Sequence, residues 1–306
     1  MGKFTKAHSE LMVAGKKLSI SNPEKLLWRR LGIKKIDYLH YLSEVAPFML
    51  PFLNERLLTV IRFPNGIHKE SFYQKNCPDY APTFIKTVTH EGIDYLLCND
   101  IATLLWLGNQ AAIEYHIPFQ PYHARHPSEI VFDLDPPSQN EFSLAVEAAL
   151  QLKQICDKLQ LITYVKTSGN KGLQVYLPLE NNKFSYADTR RFTAFIAEYL
   201  VKKNTAWFTT ERLKKHRGKR LYIDYVQHAE GKTIIAPYSC RGNDQALVAT
   251  PLDWKEVNEN LHPRQFSLDV VRTRLKRKGC PFQSFHESKE VQQFANVLTW
   301  LSEHGA

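Results

Sequence analysis

The sequence predicts a mixed α/β fold built around a central sheet, and three observations carry that expectation. From residue 129 onward, strand-like and helix-like segments alternate, as they do when helices pack on a sheet. The apolar run Glu129-Ile130-Val131-Phe132 ends in Asp133-Leu134-Asp135-Pro136-Pro137, so a buried strand stops where two carboxylates appear. The 306 residues are 43% hydrophobic and 12% aromatic, enough for a large core. No stretch approaches the roughly 18 continuous apolar residues of a membrane helix.

Residues 1–16 are expected to be an N-terminal extension. Residues 19–30 read as an ordered segment, with Asn22 as a helix cap and Pro23 at the first helical position. Residues 35–49 carry Tyr38, Leu39, Tyr41, Leu42 and Val45 at helical spacing. Residues 57–62 read as a strand closed by the turn Pro64-Asn65-Gly66. An apolar helix is expected over 100–113 and a short strand over 114–117. Residues 118–128 link this N-terminal lobe, 17–128, to a catalytic lobe, 129–285. In the second half, strands are expected at 129–135, 161–167, 172–179, 220–226 and 232–236. Helices are expected at 141–159, 186–203 and 266–278, and again at 288–303 within a C-terminal segment, 286–306.

The formal charge is +9 and the pI about 9.2. Basic residues cluster at Arg29-Arg30, Lys34-Lys35, Lys214-Lys215-His216-Arg217-Gly218-Lys219-Arg220 and from Arg272 to Lys278. Such runs beside an acidic pair suit a polyanionic substrate and metal ions. The five cysteines are scattered and never form Cys-x-x-Cys, which argues against a disulfide framework or zinc ribbon. The first residues, Met1-Gly2-Lys3-Phe4-Thr5-Lys6, form no apolar signal core. A cytoplasmic, nucleoid-associated location is the expectation, with no membrane partner.

On a strand, Asp133 and Asp135 point to the same side, roughly 6.6 Å apart. Two carboxylates so placed suit hard divalent cations, which two-metal phosphoryl-transfer sites hold about 3.5–4 Å apart. Thr167-Ser168-Gly169-Asn170-Lys171-Gly172-Leu173-Gln174 lies between two strands. Its glycines permit close backbone approach, and Ser168 and Lys171 suit a phosphate. The segment is also compatible with an ordinary hairpin turn. Leu221-Tyr222-Ile223-Asp224-Tyr225 adds a third acid within a strand-like run, for which a metal or a neighbouring arginine is the partner. Arg241, after Ala236-Pro237-Tyr238-Ser239-Cys240 and before Gly242, suits a phosphate.

Over about residues 17–285, these ordered motifs resemble the polymerase domain of bacterial ATP-dependent DNA ligase D, of the archaeo-eukaryotic primase superfamily. The resemblance implies that superfamily's α+β primase-polymerase fold, with mixed and antiparallel sheets flanked by helices. It implies that Asp133, Asp135 and Asp224 bind two divalent ions, Mn2+ or Mg2+. It implies nucleotide-binding roles for His116, Ser168, Lys171, Arg217, Gln227, Lys232 and Arg241. Gln174 stands where the family commonly has histidine; an amide still hydrogen-bonds a phosphate or ribose but is never cationic. Asn22, Lys25 and Lys35 match a pocket for a downstream 5′-phosphate, and Phe72 and Tyr73 an aromatic pair stacking at the template. Read alone, those two aromatics suggest core packing.

The expected activity is template-directed nucleotidyl transfer, filling gaps at broken DNA ends during non-homologous end joining. Implied partners are DNA ends with gaps or overhangs, NTP or dNTP with ribonucleotides preferred, the end-binding protein Ku and a ligase module. The chain has no Lys-x-Asp-Gly adenylation motif, so it is either a standalone polymerase or one domain of a longer ligase. A replicative primase-polymerase, a metal-dependent nuclease and a silent DNA-end-binding module are the rivals. Asn22, Lys25 and Lys35 favour repair over the first, and the three-aspartate set favours chemistry over the last.

Overall fold

A computed structural model describes residues 8–304. The chain opens on a hairpin of β1 (His8–Val13) and β2 (Lys16–Ser21). Then follow β3 (Leu26–Trp28), β4 (Ile33–Lys34), α1 (Lys35–Leu53), β5 (Thr59–Arg62), β6 (Phe72–Gln74), β7 (Lys86–His90), β8 (Ile93–Leu97), α2 (Ile101–Asn109) and β9 (Ala112–Pro118). The second half runs β10 (Glu129–Asp135), α3 (Phe142–Lys158), β11 (Tyr164–Thr167), β12 (Leu173–Pro178), α4 (Tyr186–Lys203), β13 (Phe208–Thr209), α5 (Lys214–Arg217) and β14 (Leu221–Asp224). It ends with β15 (Thr233–Ile235), β16 (Pro251–Leu252), α6 (Leu268–Lys278), α7 (Ser288–Val291) and α8 (Phe294–Glu303).

Two sheets carry the site, where the alternating pattern suggested one. The larger has strand order β13-β14-β10-β12-β11-β16, and the smaller β15-β9-β5-β6. The larger is antiparallel except where β13 meets β14. Alternation along β10 sends Phe132 and Leu134 into the core while Asp133 and Asp135 stay half-buried on the other face. Phe132 meets Phe192 of α4 edge-on at 6.1 Å. The opposite face is closed lower down by Phe282 and Phe285, which pack on Tyr164 and Tyr176.

Strongly periodic segments fall where expected. Helix α4 spans Tyr186–Lys203, with Ser185 and Asp188 closing a capping box at its start. Several boundaries differ. Asn22 caps no helix: it takes φ +48° in a turn, and its carbonyl accepts from Lys25 N–H at 3.1 Å. Helix α2 stops at Asn109, and Ala111 (φ +57°) turns the chain so that Ala112 already pairs with Arg62. Strand β14 ends at Asp224, because the Asp224 carboxylate accepts from Gln227 N–H at 2.9 Å and folds the chain back. The helix expected over 288–303 breaks at Gln292, whose amide bonds the backbone of Ile162 and Pro178 instead.

Two sequence boundaries are crossed by hydrogen bonds. Residues 8–13, within the expected extension, pair with 16–21. Strand β15, from the second half, pairs with β9 of the first.

Candidate active site

The larger sheet brings two of the aspartates face to face. Asp133 of β10 is the direct cross-strand partner of Asp224 on β14, and Asp135 is the partner of Tyr222. Direct partners project to the same face with Cβ atoms about 4.5–5.5 Å apart. All three carboxylates therefore share one face at one end of two adjacent strands. Burial, then the charges of Asp135 and Asp224, raise Asp133 to about 6. Burial likewise pushes Asp224 up. Like charges crowded in a half-buried site favour a bound cation over mutual repulsion.

Basic groups surround the acids. Lys171 Nζ lies 3.1 Å from Asp135 and also donates to the carbonyls of Pro136 at 2.7 Å and Pro137 at 3.1 Å. Arg217 reaches Asp135 at 3.5 Å and lies over the Tyr222 ring, 3.8 Å from its centre. Gln174 Nε2 donates to Asp133 Oδ1 at 3.0 Å. Among the described residues, no three His, Cys, Asp or Glu side chains are placed so that together they could hold a metal ion. Carboxylates are the hard oxygen donors that divalent cations take, and as the site stands Lys171 and Arg217 balance the charge of Asp135.

The loop between β11 and β12 is shaped by two glycines. A Cβ on Gly172 would lie 2.3 Å from the Leu134 carbonyl, so only glycine lets the loop press against the end of β10. Gly169 takes φ +72° with Arg241 Cγ 2.7 Å from where its Cβ would be. The Ser168 hydroxyl accepts from Gly172 N–H at 3.0 Å and Asn170 N–H at 3.3 Å, which fixes the turn that presents Lys171.

The smaller sheet supplies the opposite wall. A cleft of about 340 Å³ is lined by Asp133, Asp135, Ser168, Lys171, Gln174 and Arg241, and from the other side by Thr59, Tyr73, His116, Gln227 and Thr233. That size suits a small-molecule site. Glu114, a residue the sequence reading passed over, organises this wall. Its carboxylate meets His116 at 3.0 Å and Arg241 at 2.8 Å and accepts from Gly242 N–H at 3.0 Å. Burial pushes Glu114 up, but His116 and Arg241 overcome it and hold the carboxyl below its ordinary value. Its signal was alternation: Glu114 and His116 share a strand face, two residues apart. Gln227 is pinned by its side-chain donation to the Thr233 carbonyl at 2.7 Å. Lys232 sits exposed in the preceding turn and does not line the cleft.

Tyr73 is 73% exposed and Phe72 46%, so neither is a core residue. Arg62 stacks over Phe72, 5.2 Å from the ring centre. Asn22, Lys25 and Lys35 gather beyond them. Lys35 N–H donates to the Lys25 carbonyl at 2.8 Å, and Lys25 Nζ reaches Asn65 Oδ1 at 3.5 Å. Lys35 does not coat the surface of α1. It is 4% exposed, and its Nζ meets Ser21 O at 2.5 Å, Ser21 Oγ at 3.3 Å and Asn109 Oδ1 at 3.3 Å.

Residues 34–282 match the family model described as "LigD, primase-polymerase domain". The chain belongs to this family. It is thereby a nucleotidyltransferase of the primase-polymerase class, a class that depends on divalent metal. It is 47% identical over 285 residues to the bifunctional non-homologous end joining protein LigD of Bacillus subtilis, covering 93% of this chain and 47% of that protein. It is 32% identical over 273 residues to the multifunctional LigD of Mycolicibacterium smegmatis, covering 86% of this chain and 35% of that protein. The chain thus spans half or less of these relatives. The fold matches the polymerase domain of Mycobacterium tuberculosis Ligase D, solved in complex with DNA, with a TM-score of 0.82 and 30% identity. That match covers 88% of this chain and 98% of the other. Among the described residues, no helix is long and apolar enough to cross a membrane.

Proposed function

We propose that this LigD-type domain fills gaps at DNA double-strand break ends, adding nucleotides to a primer 3′-hydroxyl opposite a template. The observation that carries the reading is the pairing of Asp133 with Asp224 across adjacent strands, at the edge of a cleft that Asp133 and Asp135 line together with Lys171 and Arg241. Asp133, Asp135 and Asp224 would hold two divalent cations, Mn2+ or Mg2+. Such ions activate the attacking hydroxyl and neutralise the leaving pyrophosphate.

The chain's own residues do the rest. Lys171 and Arg241 flank the cleft and balance the triphosphate charge, and Ser168 holds the turn that carries Lys171. His116, fixed by Glu114, and Gln227 border the nucleotide from the smaller sheet. Gln174 holds Asp133. Arg217 stands on the far side of Asp135, where Lys214 and Arg220 extend a basic trough suited to a nucleic-acid backbone. Lys232, exposed in the turn before β15, stands outside the cleft lining, so the cleft gives no support to its role as a nucleotide contact. Tyr73 and Phe72 present aromatic faces to template bases, a sequence-tolerant contact. Asn22, Lys25 and Lys35 form a compact cationic pocket for a downstream 5′-phosphate. Its amine partners are neutral oxygens, which leaves positive charge for an anion.

The bifunctional and multifunctional names of the relatives support a ligase module as partner, and a Ku-type end-binding protein is the expected recruiter. Ribonucleotide preference belongs to the same reading. The test is primer extension on a gapped duplex, with and without the downstream phosphate, comparing NTP with dNTP under Mn2+ and Mg2+. Asp224→Ala should abolish extension while DNA affinity stays within about threefold, because surface cations supply most non-specific affinity. Near-normal extension by that variant would overturn the assignment.

A further inference from the structure

Behind Asp133 lies a group of buried polar atoms of which the roles above use only the Gln174 bond to Asp133. Lys166 of β11 is the direct partner of Gln174 on β12, which is the direct partner of Asp133 on β10. With Asp224, these four side chains form one rung across four strands, all on one face. Lys166 is 0% exposed. Its Nζ lies over the Tyr176 ring, 5.7 Å from the centre, and its hydrogen bond is a weak one, to the Thr167 carbonyl at 3.4 Å. Gln174 is 2% exposed, and while its Nε2 bonds Asp133, its Oε1 has no hydrogen-bond partner among the described residues. The same holds for the Tyr176 hydroxyl, two residues along on the same face.

A lysine sealed in a sheet opposes core packing, since lysine is almost never fully buried unless paired. Burial lowers its pKa well below the ordinary value, another sign that the site disfavours it. The unmet donor and the unmet acceptor stand on neighbouring positions of the rung. The terminal torsion of glutamine is soft, so the amide can turn toward a donor on the neighbouring strand. An amine donates N–H with or without its extra proton, so the bond does not depend on the charge state of Lys166.

We propose that Lys166 and Gln174 act as one positioning unit: Lys166 donates to Gln174 Oε1 and so fixes the amide whose Nε2 aims the Asp133 carboxylate at its cation. The inference rests on the reading of Asp133 as a cation ligand. Glutamine suits this place because one end accepts while the other donates. Neither Lys166 nor Gln174 need touch the nucleotide.

The experiment compares Lys166→Met, Gln174→Met and the double variant. Steady-state extension gives kcat and the nucleotide KM. Electron paramagnetic resonance of free Mn2+ gives metal affinity without DNA or nucleotide, and thermal melting is followed without metal. Supporting groups around metal ligands typically contribute about 10- to 100-fold in affinity or activity. Lys166→Met should lower kcat and weaken Mn2+ binding by that factor, with KM within about twofold of wild type. The metal-free melting temperature should hold or rise, because an underpaired buried amine is removed. In the Gln174→Met background, removing Lys166 should add nothing further. Unchanged Mn2+ affinity and kcat in Lys166→Met, additive losses, or a melting temperature falling with the activity would each overturn the proposal. Asp133→Ala serves as the control: if it keeps wild-type Mn2+ affinity, the assignment of Asp133 fails and the unit's aiming role falls with it, whereas lost affinity there beside unchanged affinity in Lys166→Met overturns the unit alone.

Discussion

Lys35 begins α1 with its amine buried among three neutral oxygens, and burial, then the charges of Lys25 and Arg62, lower it to about 8. The charged form is therefore present below pH 8 and lost above it. An ordinary lysine keeps its charge to about 10.4. If this ammonium reads a terminal phosphate, preference for a phosphorylated gap should fall by about tenfold between pH 7 and pH 9, the scale of one charged hydrogen bond. Lys35→Arg retains the charge throughout and should flatten the profile. Equilibrium binding of gapped duplexes with and without the phosphate measures the ratio. A wild-type ratio independent of pH would remove Lys35 from the pocket. At this scale, side chains that carry recognisable spacing were legible in the sequence. Asp133, Asp135, Asp224 and Lys171 stood out because strand alternation and a glycine turn already orient them. Glu114 and Lys166 did not: Glu114 meets Arg241 and Gly242, far off in sequence, and Lys166 shares a rung with residues of other strands. Exposure of Phe72 and Tyr73 was equally hidden, since an aromatic pair reads as core until its neighbours are known.

Between elements, the junction of β9 and β10 is held by Arg56, 3% exposed, which follows α1. Its guanidinium pairs with the Glu129 carboxylate, at 2.8 Å for Nη2 to Oε2, and reaches Ser128 Oγ at 3.2 Å and the Pro118 carbonyl at 2.5 Å. Burial pushes Glu129 up, yet Arg56 overcomes it and holds the carboxyl below its ordinary value. Glu129 opens the strand that bears Asp133, so the pair anchors the smaller sheet to the catalytic strand. Breaking a buried pair leaves one charge unpaired, which costs about 3–5 kcal/mol. Arg56→Met should lose that much stability in urea titration, and Arg56→Met/Glu129→Met should regain part of it. A loss below about 1 kcal/mol would mean that the site collapses or hydrates easily. The sequence made β10 and α4 legible because their patterns are local. It hid this pair, whose members are 73 residues apart. It likewise hid the break at Gln292, set by the distant backbone of Ile162, before β11, and Pro178, at the end of β12, and the pairing of β15 with β9.

Across the whole molecule, the two halves of the sequence are interlocked. Strand β15 crosses into the smaller sheet, and Tyr41 of α1 donates to the Tyr238 carbonyl at 2.7 Å. Trp28 Nε1 donates to the Asn243 carbonyl at 2.9 Å, and Glu44 of α1 pairs with Arg272 at 2.6 Å and Lys276 at 3.0 Å on α6. Phe52 of α1 packs on Phe282 and Phe285, which in turn cover the larger sheet. The cleft needs this arrangement, because Asp133 and Lys171 stand on one sheet while His116 and Tyr73 stand on the other. On the proposed reading, movement of one sheet by an ångström would separate groups that act on one nucleotide. Chains of this length commonly unfold through intermediates. The interlock predicts otherwise: a single cooperative transition. Trp28 and Trp106 report the first half, and Trp207, Trp254 and Trp300 the second, so variants retaining one set or the other should melt at the same urea midpoint as far-ultraviolet ellipticity. Arg56→Met should move that midpoint as a whole without splitting it. Separate midpoints for the two tryptophan sets would show that the sheets unfold independently, and the cleft would then be a mobile boundary instead of a fixed site.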